Sequence, residues 1–176
     1  MMNITFRKAA ADDIDRISEI YEMIHTEQER GRTYTGWVRR VYPVRDTAES
    51  ALKRGDLFIE ELDGGIAGAA IINRTQGDVY ANAPWNFDAP DDRVMVLHTL
   101  VIDPGIKGKG LGRAFVEFYE QYAREHGCDV LRLDTNVLNR NARAFYKKMN
   151  YSEVAVLPCE FNGISNVDLV MLEKKL

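Results

Sequence analysis

The sequence predicts a single α/β domain built on a mixed central sheet of about six to seven strands flanked by about four helices. Apolar runs of strand length alternate with apolar stripes at helical spacing along the whole chain. One run, Val94 to Ile102, consists of Val, Met, Leu, Ile and Thr with one His, and reads as a central strand buried on both faces. It stops at Asp103-Pro104-Gly105 and passes through a glycine-dense turn into a helical pattern, after which another strand follows. That order implies a right-handed crossover joining two parallel strands.

At 176 residues the chain suits one well-cored domain and is short for two, so residues 1–176 are read as one unit. Hydrophobic residues at 45% and charged residues at 28% exclude disordered and fibrous classes. A net charge of -4 argues against a nucleic-acid partner, which needs a basic field. Cys128 and Cys159 are too few for a disulfide framework or a zinc site, so no metal is expected and a reducing compartment fits. The N-terminus lacks an apolar signal core, and no run approaches the roughly 18 apolar residues of a membrane span. The expected location is cytoplasmic, with no membrane partner.

Taken in order, Asn3 to Lys8 alternates Ile4 and Phe6 with polar neighbours and reads as a half-buried first strand. Asp12 or Asp13 then caps a helix whose stripe is Ile14, Ile17, Ile20, Tyr21 and Ile24, ending at Gly31. Gly36 and Pro43 interrupt the next stretch, and Thr47 is read as the cap of a short helix ending at Gly55. Tyr34, Trp37 and Tyr42 are expected in the core, with the wall of a pocket as the other reading. Leu57 to Leu62 and Ile66 to Asn73 flank Asp63-Gly64-Gly65 and form a hairpin. Gly77 to Arg93 carries turn chemistry throughout, and Trp85 and Phe87 favour an ordered loop. After the glycine turn, Leu111, Ala114, Phe115, Phe118, Tyr119, Tyr122 and Ala123 form a helical core stripe that Gly127 closes. Val130 to Thr135 is the next strand. Asn139 precedes a helix with Ala142, Phe145, Tyr146 and Met149 on one face, ended by Asn150. Tyr151 to Val156 and Val167 to Leu172, separated around Pro158 to Ser165, close the sheet as an antiparallel pair.

The turn Lys107-Gly108-Lys109-Gly110-Leu111-Gly112 sets glycines at alternate positions before a helix. Several backbone N–H groups and the positive end of the helix dipole can there meet one anion. A glycine cluster alone equally fits an ordinary tight loop. The P-loop pattern fails, because Leu111 and Gly112 stand where Lys and Ser or Thr are needed after Gly105 and Gly110. The dinucleotide pattern fails too, since Phe115 follows Gly110 and Gly112 where a third glycine belongs. On these residues the chain resembles the GNAT superfamily of acyl-CoA-dependent N-acyltransferases. That family's motif starts with Arg or Gln, for which this chain has Lys107, a point charge without a bidentate fork. The segment Asn139 to Tyr151, with Asn139, Ala142, Phe145, Tyr146 and Tyr151 at matching spacing, resembles the family's other signature, Asn150 replacing its glycine.

The resemblance covers roughly Leu57 to Leu172 and implies a GNAT-like fold. It also implies acetyl-CoA as acyl donor and direct transfer of its acetyl group to a primary amine of a small molecule or peptide. Lys107, Gly108, Lys109, Gly110, Leu111 and Gly112 are then expected to hold the pyrophosphate. The backbone of Leu100, Val101 and Ile102 is expected to pair with the pantetheine arm, and Asn139 to touch the cofactor. Tyr146 matches the family's proton donor, with completion of the Ala142, Phe145 and Met149 face as the competing reading. His98 stands where related enzymes often carry a Glu base and is the candidate base; a satisfied core histidine is the alternative. Asp88, Asp91 and Asp92 beside Trp85 suit a cationic amine or a solvated loop. Such folds commonly form homodimers. A non-catalytic acyl-CoA sensor of the same fold and a nucleotide-binding domain are the rival readings.

Overall fold

The computed structural model describes residues 2–176. Along them follow β1 (Ile4–Lys8), α1 (Ile14–Glu29), α2 (Arg45–Arg54), β2 (Leu57–Leu62), β3 (Gly65–Asn73) and β4 (Val94–Ile102). Next come α3 (Leu111–Glu125), β5 (Val130–Asn136), α4 (Arg140–Lys148), β6 (Ser152–Phe161) and β7 (Ile164–Lys175). The strands form one mixed sheet in the order β1-β2-β3-β4-β5-β7-β6, with β4 and β5 its parallel pair, joined through α3 as expected. Among the described residues no helix is long and apolar enough to cross a membrane.

Side chains alternate between the two faces of the sheet. On one face α1 and α2 pack Ile14, Ile17, Ile20, Ala48 and Ala51 against Leu57, Ile59, Ala69 and Ile71. On the other, α3 and α4 pack Phe115, Tyr119, Tyr146 and Met149 against Phe58, Ile72, Leu97, Leu131 and Leu172. A fully buried ring such as Phe115 contributes about 1.5–3 kcal/mol by leaving water. The 77–93 loop covers β4, β5 and β7 with Tyr80 and Trp85 over Val94, Val96, Val130 and Leu169. The loop is ordered, as its aromatics suggest. The Arg132 guanidinium lies 4.3 Å above the Trp85 ring and donates to Phe87 O at 2.9 Å, while Asn86 N–H donates to buried Glu173 at 2.6 Å.

Several boundaries differ from the sequence reading. α2 starts at Arg45, and Thr47 caps from within its first turn, where Oγ1 accepts the Val44 N–H at 3.0 Å. Asp13 stands at the N-cap of α1 as expected, but its side chain closes the preceding 3-10 turn instead of the helix, accepting the Ala10 N–H at 2.7 Å, and it pairs with Arg7. β6 and β7 are longer than expected because Asn162 and Gly163, both at positive φ, make the whole turn between them.

Candidate active site

β4 and β5 pair only from Val94↔Val130 to Leu97↔Leu133. Past Leu97, β4 bulges: Ile71 pairs with His98 and Ala69 with Val101, so three steps on β4 match two on β3. Thr99 takes φ 49° at the bulge, an uncommon conformation for a β-branched residue. A bulge bends its own strand, and here the two parallel strands part. The β5-facing backbone edge of His98 to Ile102 is left without a ladder partner. A cavity of about 270 Å³ fills the fork, with Leu97 to Ile102, Asp134, Asn136, Asn139 and Tyr146 in its wall. A second chamber of about 590 Å³ adjoins it under the 77–93 loop and shares His98, Asp134 and Phe161.

The segment before α2 closes the fork. Gln28 of α1 accepts the Gly36 N–H at 2.9 Å and also bonds Thr35 and the Trp37 carbonyl. Gly36 has φ 76°, and a Cβ there would stand 2.1 Å from Asn136 Nδ2, so only glycine permits this approach. Trp37 and Tyr42, expected in the core, are therefore cavity wall, and Tyr34 is exposed. The Tyr42 hydroxyl bonds Thr99 Oγ1 and so braces the bulge.

His98, Leu100, Val101, Ile102, Asn139 and Tyr146 all meet at this cavity. His98 Nε2 lies 2.9 Å from Asn73 Oδ1. Asn73 Oδ1 also accepts the Thr75 N–H, and its Nδ2 donates to Asp56, so the amide orientation is set and Nε2 carries the His98 proton. Burial lowers the His98 pKa to about 4, leaving the ring neutral. Asn139 Oδ1 caps α4 by accepting the Ala142 N–H at 3.1 Å. Tyr146 is 7% exposed, and its hydroxyl has no hydrogen-bond partner among the described residues. Burial, then the charge of Asp134, raise its pKa above the usual tyrosine range.

Lys107, Gly108, Lys109, Gly110, Leu111 and Gly112 stand outside this cavity, beside its Ile102 end. Gly110 precedes α3 with φ 73°, and a Cβ on it would meet no protein atom within 4 Å. The first bond of α3 is Ala114 N–H to Gly110 O, so the N–H groups of Leu111, Gly112 and Arg113 remain without helical acceptors. Lys107 and Lys109 are exposed. Leu111 buries its side chain in the core and offers only backbone.

Asp88, Asp91 and Asp92 lie away from both chambers, whose acids are Asp78, Asp134 and Glu160. Asp134 is not evident in the sequence, where VLRLDT reads as a strand ending in polar alternates. The available signal was its place just after the last apolar residue of the strand parallel to β4. Among the described residues no group of three or more His, Cys, Asp or Glu is arranged to hold a metal ion.

Residues 16–151 match the acetyltransferase (GNAT) family, and the chain belongs to it. The uncharacterized N-acetyltransferase MJ1207 of Methanocaldococcus jannaschii is 24% identical over 153 residues, which cover 87% of this chain and 62% of that protein. YdhI of Bacillus subtilis is 31% identical over 112 residues, 64% of each chain. This chain thus spans less than two thirds of the length of these relatives. Among solved structures, a GNAT-family acetyltransferase from Streptococcus agalactiae matches with a TM-score of 0.82 at 22% identity, over 98% of this chain and 95% of that one. yncA of Salmonella typhimurium, solved with its cofactor acetyl-CoA, matches with a TM-score of 0.66 at 20% identity, over 98% and 94%. These likenesses show a shared fold.

Proposed function

We propose that the protein moves an acetyl group from acetyl-CoA directly to a primary amine of a small molecule or peptide. The observation that carries this reading is the fork between β4 and β5, with an unpaired strand edge on one side and the unpartnered Tyr146 hydroxyl on the other. An extended, amide-bearing chain can satisfy the free backbone groups of Leu100, Val101 and Ile102 as an added strand would. The open N–H groups of Leu111, Gly112 and Arg113 suit a pyrophosphate. Gly108 and Gly110 keep side chains out of its way, and Lys107 and Lys109 add screened charge. Asn139 is positioned to reach the same ligand from the start of α4.

When bound, acetyl-CoA supplies the thioester to be cleaved. Burial keeps Tyr146 protonated at every working pH, so its hydroxyl can give a proton as negative charge develops on sulfur. His98, neutral and held by Asn73, can hydrogen-bond the incoming nitrogen. Free-thiol release from acetyl-CoA across amines, polyamines, amino acids and peptide N-termini tests the reading. Release with at least one acceptor is expected. CoA binding with no release for any acceptor favours a sensor of the same fold.

A further inference from the structure

We propose that Asp134 receives the acceptor's ammonium and takes its proton, and that the acceptor bears no carboxylate on the carbon holding its nitrogen. The inference rests on the acetyl-transfer reading above.

Asp134 is the first β5 residue past the ladder with β4, as His98 is on β4. Leu131 and Leu133 point toward α3, so alternation turns Asp134 to the face covered by the 77–93 loop. Its carboxylate lines both chambers and joins them. Buried Tyr80 donates its hydroxyl to Asp134 Oδ2 at 2.7 Å, while Oδ1 has no partner among the described residues. One oxygen is anchored and the other is left for a donor arriving in the cavity. The Tyr146 hydroxyl, also unpartnered, reaches the fork from the opposite face.

Among the described residues no Lys or Arg lines either chamber, whereas Asp78 and Glu160 add two carboxylates to the second. Trp37, Tyr42 and Phe161 supply ring surface, which attracts cations. An ammonium finds a charge partner and rings here. A carboxylate beside the nitrogen would face Asp134 with no cation to meet it. The ionisable groups sharing the two chambers with Asp134 are Tyr80, Tyr42, Tyr146, Cys159, His98 and the carboxyls of Asp78 and Glu160. Burial raises the phenols and the thiol, and lowers His98, so those five are neutral near pH 7. Asp134 itself is lifted by burial to about 6, the Tyr80 bond opposing the rise. It is ionised at neutrality and more basic than His98.

The reaction balances as follows in protons and bonds. The ammonium gives one proton to Asp134 Oδ1, and the freed lone pair forms the C–N bond at the acetyl carbonyl of acetyl-CoA. The C–S bond breaks with its pair on sulfur, which Tyr146 protonates. The second nitrogen proton replaces the one Tyr146 gave, and Asp134 returns its own to water. Amide, thiol and one proton leave.

Thiol release from saturating acetyl-CoA should be followed with 2-phenylethylamine, phenylalaninamide and phenylalanine, from pH 5 to 9. The amine and the amide should be accepted, and phenylalanine disfavoured by at least about a hundredfold in kcat/KM, because like charges would be juxtaposed. Asp134→Asn keeps the shape and the Tyr80 bond. It should lower kcat/KM about a hundredfold to ten-thousandfold and remove the acid limb near pH 6, with CoA affinity unchanged. Tyr80→Phe should move that limb to higher pH, since the Tyr80 hydrogen bond holds the Asp134 pKa down and its loss lets the pKa rise. A merely structural Asp134 would change stability and leave the limb in place. Full activity with an unmoved limb in Asp134→Asn, or phenylalanine used as well as its amide, overturns the proposal. CoA binding with no thiol release from the unaltered protein for any of the three, nor for the polyamines and peptide N-termini of the wider panel, overturns the acetyl-transfer reading instead.

Discussion

Glu60→Gln should raise stability by only about 1 kcal/mol at pH 5 and progressively more up to pH 8. Glu60 lies on β2, fully buried against Gly68, and neither carboxyl oxygen has a hydrogen-bond partner. Desolvation raises its pKa from 4.5 to about 8. In the unfolded chain the proton leaves near 4.5, so between the two values the folded protein holds one proton more. Stability therefore falls as pH rises, by about 1.4 kcal/mol per pH unit. From pH 4.5 to 8 the loss reaches at most about 5 kcal/mol, the scale of a whole domain's stability. Gln mimics the protonated acid and does not titrate, so the two stability curves should converge at low pH and separate above it. Urea unfolding of both proteins at each pH unit from 5 to 8 measures this, through the midpoint at constant slope. Parallel curves would mean that the carboxyl is solvated in the folded state and would refute the reasoning.

Gly110→Val forces a β-branched residue to φ 73°, costing about 1–2 kcal/mol without a protein clash, and calorimetry should show CoA affinity reduced at least about tenfold. Unchanged affinity in a folded Gly110→Val protein would remove the glycine turn from the site; Lys107→Ala should be milder, one exposed charge being lost. Tyr146→Phe should cut kcat about a hundredfold to ten-thousandfold with little change in KM for acetyl-CoA, and full kcat would leave Tyr146 as a core ring. His98→Gln should cost less than Asp134→Asn and leave the acid limb near pH 6 in place, as a pH profile of kcat/KM would reveal.

What was legible in the sequence is what neighbouring residues decide among themselves. Asp63-Gly64 makes its hairpin turn with both residues at positive φ, and Asn150 ends α4 in the left-handed conformation that Asn tolerates. Asn139 and Tyr146 occur in one short segment, so helical spacing alone brings both to the same cavity. Trp37 and Tyr42 could not be assigned this way. Their place in the wall depends on Gly36 meeting Asn136, a hundred positions along the chain. The part of the cavity proposed for the acceptor was hidden for a related reason. His98 and Asp134 face one another's chamber only because the β4–β5 ladder stops at Leu97↔Leu133 and β4 gains a residue at Thr99. A bulge carries little signal in a run such as VLHTLVI, where each residue suits a buried strand equally well. Had the ladder continued, His98 and Asp134 would have been paired backbone with their side chains against the loop, and the sheet would have had no opening. The proposed chemistry therefore rests on an interruption of regular pairing, which Tyr42 braces by bonding Thr99 from a loop whose sequence shows no catalytic pattern.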